Sequence, residues 1–176
     1  LNCNDISSAF TGGTLSCSSS CTLDRRRCET NAPCDAENVV LNEVCHKNTD
    51  CGVAGITKGD WFEIYNSSES EASLGGCSIR VVKSGEIQLE TKFAWVAGYE
   101  ELVVPPRGFV LIDDVEDLFK AGRAEEVVLV DVDNGPINSL TTSTALSVDG
   151  DLTSSMCTID QSGNTPTPGQ PNECGL

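Results

Sequence analysis

The sequence predicts an all-β fold, an antiparallel β-sandwich preceded by a small disulfide-stapled N-terminal module. Eight short runs rich in valine and isoleucine follow one another from residue 39 to residue 141, separated by turn residues. Five of the ten cysteines fall within the first 34 residues, where apolar residues are too few to bury a core. We therefore divide the 176-residue chain into a cysteine-rich module, 1–34, and a β-sandwich domain, 35–176.

The eight predicted strands are short and closely spaced, which favours an antiparallel sandwich over a parallel α/β sheet. They are "VVLNEV" (39–44), "WFEIYN" (61–66), "CSIRVV" (77–82), "EIQLE" (86–90), "LVV" (102–104), "GFVLID" (108–113), "EVVLVD" (126–131) and "INSLT" (137–141). Ser84-Gly85 predicts a tight hairpin. Asn134-Gly135 predicts a two-residue hairpin, after which Pro136 makes the last run an edge strand. One helix is predicted over 114–122.

The cysteines are more typical of disulfides than of a metal site. No pair has the two-residue gap of a zinc knuckle, and the chain has one histidine, His46. Disulfides require an oxidising compartment. The pairs that we expect are Cys3–Cys17, Cys21–Cys28, Cys34–Cys174, Cys45–Cys51 and Cys77–Cys157. Spacing alone leaves this connectivity open. Because the chain starts at Leu1 with no signal sequence, we expect a processed product or an excised fragment.

The charge balance restricts the partners. The chain has 11 basic and 27 acidic residues, a net charge of −16. The module is balanced, so the whole negative charge lies from residue 35 onward. Nucleic acid and anionic membranes need a cationic face, so both are predicted not to be partners. The longest apolar run, 93–97, has five residues, which excludes membrane insertion by a helix. A basic protein partner or a cation is favoured instead.

One acidic loop is a candidate calcium site. Asp131, Asp133 and Asn134 place oxygen ligands at closely spaced positions before Gly135, as at the start of a calcium loop. The distal bidentate glutamate of such a loop is missing. A solvated acidic surface around a hairpin explains the same residues, so no cofactor is predicted beyond this candidate Ca²⁺ site.

No catalytic motif is present, and we predict that the chain is not an enzyme. It has no nucleophile elbow, no His-Glu-x-x-His helix and no phosphate-binding Gly-Lys-Ser/Thr loop. The side chains of Cys45 and His46 should diverge on a strand. In "WFEIYN", Phe62 and Ile64 should share one face, with Glu63 on the other between two aromatic residues. Glu63 is either a poised acid or, as we favour, a packing and loop-anchoring residue.

The run Arg25-Arg26-Arg27 is the one basic cluster on an otherwise acidic molecule. A solvated loop is the simple interpretation. The alternative is that these arginines dock on the acidic face of the next copy, a head-to-tail contact that builds filaments.

Region 35–174 contains six motifs in a fixed order: "VVLNEV", "WFEIYN" after Gly59-Asp60, Leu74-Gly75-Gly76, "VVPPRGFVLI", "VVLVDVDNGPINSL" and "PTPGQPN". In this order they resemble the motifs of the lamin-tail domain of secreted bacterial proteins. The stretch from Gly13 to Cys28 is similar to short cysteine-rich segments of secreted myxobacterial proteins, which follow the pattern "GTLxCxxxCTxDxxxC".

The resemblance implies an immunoglobulin-like β-sandwich without enzymatic activity. Lamin-tail domains act as structural, adhesive or targeting modules, so we expect a secreted or cell-surface protein on a bacterial exterior. Its partner would be another protein, or copies of itself. The alternatives are a Ca²⁺-dependent adhesin-type domain and a targeting appendage of a larger secreted enzyme.

Overall fold

A computed structural model of the protein describes residues 1–17, 22–45, 60–96, 98–113, 125–142, 153–155 and 162–164. Within these ranges the chain forms β-strands and two 3-10 helices, Cys3–Asp5 and Phe93–Trp95. The strands are β1 Phe10–Gly13, β2 Ser16–Cys17, β3 Leu23–Asp24, β4 Cys28–Thr30, β5 Val39–Cys45, β6 Trp61–Asn66, β7 Ala72–Ser73, β8 Ser78–Lys83, β9 Glu86–Lys92, β10 Val103–Val104, β11 Phe109–Asp113, β12 Glu126–Val130, β13 Pro136–Thr141, β14 Thr153–Ser155 and β15 Ser162–Asn164.

Two antiparallel sheets form the sandwich. One has the strand order β11-β6-β5-β14-β15 and the other has the order β13-β12-β8-β9. A small third pair, β7 with β10, lies at one end. All eight runs predicted from the sequence form strands, so the prediction of an all-β antiparallel sandwich is confirmed. The helix predicted over 114–122 lies outside the described residues. No helix in the part of the chain that the structure describes is long and apolar enough to cross a membrane.

The core lies between the two sheets and is filled by alternate residues of their strands. Phe62 and Ile64 of β6 face it, as predicted, and the ring of Phe62 lies 6.1 Å from that of Phe93. Trp61 lies on the opposite face with Cys45. In β5 the alternation is broken by a bulge between Leu41 and Glu43, which sends both Leu41 and Val44 into the core.

The bulge also gives the second sheet a point of attachment. The side-chain amide of Asn138, on edge strand β13, accepts a hydrogen bond from the Leu41 N–H at 2.8 Å. The same amide donates to the Leu41 carbonyl at 2.9 Å. Asn138 thus replaces a strand partner for the bulged backbone and fixes the two sheets relative to each other.

Both predicted hairpins form, but one has a different turn. Ser84 and Gly85 have φ values of 53° and 82°, so they make a two-residue turn with both central residues left-handed. The Asn134 hairpin is longer than predicted. The Asn134 N–H donates to the Asp131 carbonyl, Asn134 has φ 65°, and the Asp131 N–H donates to the Gly135 carbonyl. This is a three-residue loop closed by a bulge, because Asn134 takes the left-handed position alone.

The N-terminal module has two small strand pairs, β1 with β4 and β2 with β3. An isolated bridge joins Asn2 to Thr14, and Gly13 is the register partner of Cys28. These pairings place Cys3 beside Cys28, with the two Cα atoms 5.5 Å apart, and the two residues form a disulfide. The prediction of a stapled N-terminal module is therefore confirmed, although its strands were not predicted.

The pairing of the cysteines differs from the prediction. The pairs Cys3–Cys17 and Cys21–Cys28 are wrong because Cys3 is bonded to Cys28, and Cys17 is an exposed free thiol. The pairs Cys34–Cys174 and Cys77–Cys157 are wrong because Cys34 is bonded to Cys77 across a Cα separation of 5.0 Å. Cys45 is disulfide-bonded. Its predicted partner, Cys51, lies outside the described residues, as do Cys21, Cys157 and Cys174.

Candidate functional site

The module is fixed to the sandwich along one contact, which we call the seam. A linker, residues 31–35, spans the boundary between module and sandwich and runs along the sandwich. The Asp35 N–H donates to the Ser73 carbonyl at 2.9 Å, and the Ser73 N–H donates to the Asp35 carboxylate at 2.6 Å. The Cys34–Cys77 disulfide closes the seam covalently. The indole N–H of Trp95 donates to the Cys28 carbonyl at 3.1 Å, and Ala94 is buried in the small core of the module. Covalent, polar and apolar contacts thus join the two parts.

Two glycines make this close approach of the two backbones feasible. A Cβ atom at Gly76 would lie 2.1 Å from the carbonyl oxygen of Ala32, and one at Gly75 would lie 2.8 Å from the Cβ atom of Ala32. The Gly76 N–H donates to the Pro33 carbonyl at 2.9 Å. Any side chain at these positions would push the linker off the sandwich. The Leu74-Gly75-Gly76 motif therefore has a packing function at the seam.

An ion pair also crosses the seam. The guanidinium of Arg25, in the module, contacts the carboxylate of Glu100, in the sandwich. Their side chains are 13% and 16% exposed, so the pair is largely shielded from water. In the alternative interpretation these arginines dock on the acidic face of another copy, whereas in the structure Arg25 is paired with Glu100 of the same chain.

The other two arginines of the run stay at the surface. Arg26 binds Asp24 through two nitrogen–oxygen contacts of 2.9 Å and 2.8 Å. That interaction lowers the pKa of Asp24 to about 2. Arg27 is exposed and has no ion-pair partner among the residues that the structure describes. Of the three predicted self-association residues, only Arg27 keeps an exposed charge that is not already paired nearby.

A groove runs along the seam, and we call it the seam groove. The module contributes Ser8, Ala9 and Thr11, the linker contributes 31–33, and the sandwich contributes Ser73, Glu100, Glu101 and Val103. Its volume is about 300 Å³. A second depression of about 380 Å³ adjoins it and shares Glu100 and Glu101. These two glutamates thus stand between two hollows at the junction of module and sandwich.

The two glutamates differ in how far their charge is compensated. One oxygen of Glu100 contacts Arg25, and the other accepts a 2.7 Å hydrogen bond from the Gly98 N–H. Glu101 is exposed and accepts one hydrogen bond, from the Ser8 hydroxyl at 3.2 Å. It has no cationic partner within the described ranges. The negative charge that the groove presents to a ligand is therefore that of Glu101.

One of the three predicted calcium ligands, Asp131, is used by its own hairpin. One carboxylate oxygen of Asp131 accepts the N–H groups of Asp133, at 2.9 Å, and Gly135, at 2.7 Å. Asp131 is thus a turn-capping residue. No group of three or more His, Cys, Asp or Glu side chains suited to a metal is found within the described ranges. The calcium site remains a prediction from the sequence.

Glu63 is buried on the face of its sheet that is turned away from the main core. It accepts a 2.7 Å hydrogen bond from the amide of Asn42, the bulge residue of β5, and lies opposite the equally buried Glu43. Its position ties the bulge to the neighbouring strand, in agreement with the anchoring function that we favoured.

Asn66, at the end of β6, is also a structural residue. Its side-chain amide donates to the carbonyls of Ser70, Val104 and Pro105 at 2.7, 3.1 and 3.1 Å, and its oxygen accepts the Ser68 N–H. Through these hydrogen bonds the fully buried Asn66 joins the 67–70 loop to the 104–105 segment.

Sequence reasoning did not find the seam groove. Arg25 and Glu100 are 75 residues apart, and although Arg25 belongs to the basic run at 25–27, nothing in the sequence pairs it with Glu100. The signals in the sequence were that basic run and the second glycine of Leu74-Gly75-Gly76, since a turn needs only one. A scan of the chain against protein-family models and a search of curated proteins found no match.

Proposed function

We propose that this chain is a non-catalytic extracellular module that binds a protein partner, and that it is a lamin-tail-type sandwich. The observation that carries the proposal is the seam. A module held by a disulfide, an ion pair and buried apolar contacts presents one rigid surface together with the sandwich. Rigid, preorganised surfaces suit binding, because less conformational entropy is lost when a partner docks.

The disulfides support the extracellular setting. Cys3–Cys28 and Cys34–Cys77 are both formed; the first cross-links the module, and the second bonds the linker to the residue that precedes β8. Bonds of this kind persist in secreted and cell-surface proteins, whereas cytosolic thiols are kept reduced. The acidic excess, 27 acids against 11 bases, favours a basic protein partner, as does the exposed charge of Glu101 in the groove.

The location is tested on cells that produce the protein. Intact cells are treated with a membrane-impermeant thiol reagent, and the chain is recovered and mapped by mass spectrometry. We expect it in the surface or secreted fraction, with the four cysteines of the two disulfides unlabelled until a reductant is added. Recovery from the cytoplasm with those four cysteines as free thiols would contradict the extracellular setting.

The binding function is tested by cross-linking the purified, oxidised chain to the surface proteins of the same cells. We expect one protein to be recovered in near-equimolar amount, and to be lost when the chain is first reduced and alkylated. Sedimentation velocity at low and high salt shows whether that protein is a second copy. Turnover of a substrate by the purified chain alone would contradict the non-catalytic assignment.

A further inference from the structure

We propose that the seam groove binds an extended basic segment of a protein partner, with a lysine or arginine side chain of that segment paired with Glu101. This inference rests on the function proposed above and names the site and the chemistry of the partner. Three properties of the groove support it, namely its charge, its lining and its fixed shape.

The charge of the groove selects a cation. Glu101 is exposed, lies on the groove and has no cationic partner within the described ranges, whereas the charge of Glu100 is already met by Arg25. A cationic side chain arriving at Glu101 therefore meets a carboxylate whose hydrogen-bond donor, among the residues that the structure describes, is the Ser8 hydroxyl. The net charge of −16 draws basic segments toward the molecule and repels acidic ones.

The lining suits the remainder of such a segment. Ala9, Ala32 and Pro33 offer small apolar surface, and Val103 is 45% exposed although it is a large hydrophobic residue. The aliphatic stem of a lysine or arginine can cover this surface while its charged end reaches the carboxylate. A volume of about 300 Å³ is at the lower end of ligand pockets, which fits one or two side chains of an extended peptide.

The shape of the groove is fixed before any ligand arrives. Its walls belong to different parts of the chain, and the Cys34–Cys77 disulfide and the Arg25–Glu100 pair hold those parts together. The partner segment therefore does not have to bring module and sandwich together when it binds. Specificity for a cation follows from Glu101, and affinity follows from the preformed walls.

The test uses the full oxidised chain and the capped peptide Ala-Lys-Ala-Lys-Ala, with Ala-Glu-Ala-Glu-Ala as the reversed-charge probe. Amide chemical-shift changes in two-dimensional NMR report where each peptide binds. We expect the lysine peptide to shift residues 8–11, 31–33 and 100–103, and the glutamate peptide to shift none of them. No shift in these ranges at millimolar lysine peptide overturns the proposal.

Two charge-matched variants separate specific from general attraction. Glu101→Gln removes the groove carboxylate and should weaken the lysine peptide by about fivefold or more. Glu126→Gln makes the same change in net charge on an exposed residue at the start of β12, and should leave affinity unchanged. Equal weakening by both variants means that the peptide senses overall charge, and it overturns the proposal.

The same variants distinguish failure of the groove from failure of the proposed function. If Glu101→Gln still recovers the cross-linked surface protein as well as the unchanged chain does, the binding function stands and the groove is not its site. If the unchanged chain recovers no protein, the proposed function fails, whatever the peptide result. Loss of the partner by Glu101→Gln and not by Glu126→Gln supports both.

Discussion

Replacing Gly76 with alanine should loosen the seam without unfolding the sandwich. The new Cβ atom would lie 2.1 Å from the Ala32 carbonyl oxygen, and that oxygen belongs to backbone that cannot rotate away. The linker must therefore move outward by about 1 Å or more, since Cβ contacts shorter than 3.0 Å essentially never occur and ordinary ones lie at 3.4–4 Å. The movement strains the Gly76–Pro33 hydrogen bond of 2.9 Å, one residue from the disulfide.

The cost of the Gly76→Ala substitution can be estimated from its two parts. Overpacking of a tight site costs about 1–3 kcal/mol, and a weakened backbone hydrogen bond costs about 1 kcal/mol. We expect the free energy of unfolding to fall by about 2–4 kcal/mol, measured by urea denaturation. The 1–34 segment should also become more sensitive to limited proteolysis than the sandwich.

Gly85→Ala is the matched control for this prediction. Gly85 has a positive φ of 82°, and no atom lies within 4 Å of a Cβ placed there. Its substitution should cost about 1–2 kcal/mol for the left-handed backbone alone. Proteolysis of 1–34 should be unchanged. If Gly76→Ala lies within about 0.5 kcal/mol of the unchanged chain and its module stays protected, the linker does not press on Gly76 and the seam is described wrongly.

Three further predictions concern the sandwich and the module. Asn66→Ala removes the buried amide that donates to the carbonyls of Ser70, Val104 and Pro105 and should lower the free energy of unfolding by about 2–4 kcal/mol in urea, whereas the exposed Asn31→Ala should change it by less than about 0.5 kcal/mol; equal effects contradict the function assigned to Asn66. Ser84→Asn should raise the melting temperature, because asparagine tolerates the left-handed turn at lower cost, and a lower value refutes this. The carboxyl of Asp24 should titrate by NMR with a pKa of about 2, because Arg26 donates hydrogen bonds to its charged form. Since folding lowers this pKa, the contribution to stability is complete above pH 3.8 and is lost as the pH falls through 2. A midpoint near 3.8, the same as in an Arg26→Ala variant, would contradict this arrangement.

The strands were predictable because their causes are local. Phe62 and Ile64 face the core, and Trp61 and Glu63 face away, because side chains alternate along a strand whatever the rest of the chain does. The same rule fails at β5. Strict alternation cannot place both Leu41 and Val44 in the core, and the bulge that does so depends on the neighbouring strands rather than on the local sequence.

The disulfides were not predictable because their partners are set by the path of the chain. Close spacing favoured Cys21–Cys28, yet the pairing of β1 with β4 carries Cys28 to Cys3. Cys34 meets Cys77 because the linker is hydrogen-bonded along the 73–76 segment, at a separation of 43 residues. The seam groove was missed for the same reason, since both of its walls depend on that path.

Because of the seam, the predicted boundary between residues 34 and 35 does not separate two independently ordered parts. The buried cluster of the module consists of Cys3, Phe10, Leu15 and Cys28, and it is completed by Ala94 of the sandwich. So small a cluster cannot offset the entropy of ordering 34 residues, even with one disulfide. The module therefore derives its order from the sandwich, through the Arg25–Glu100 pair and the packing of Trp95. The seam groove exists only while module and sandwich are joined, because its walls come from both. The proposed partner would therefore bind the intact, oxidised chain and not either part alone.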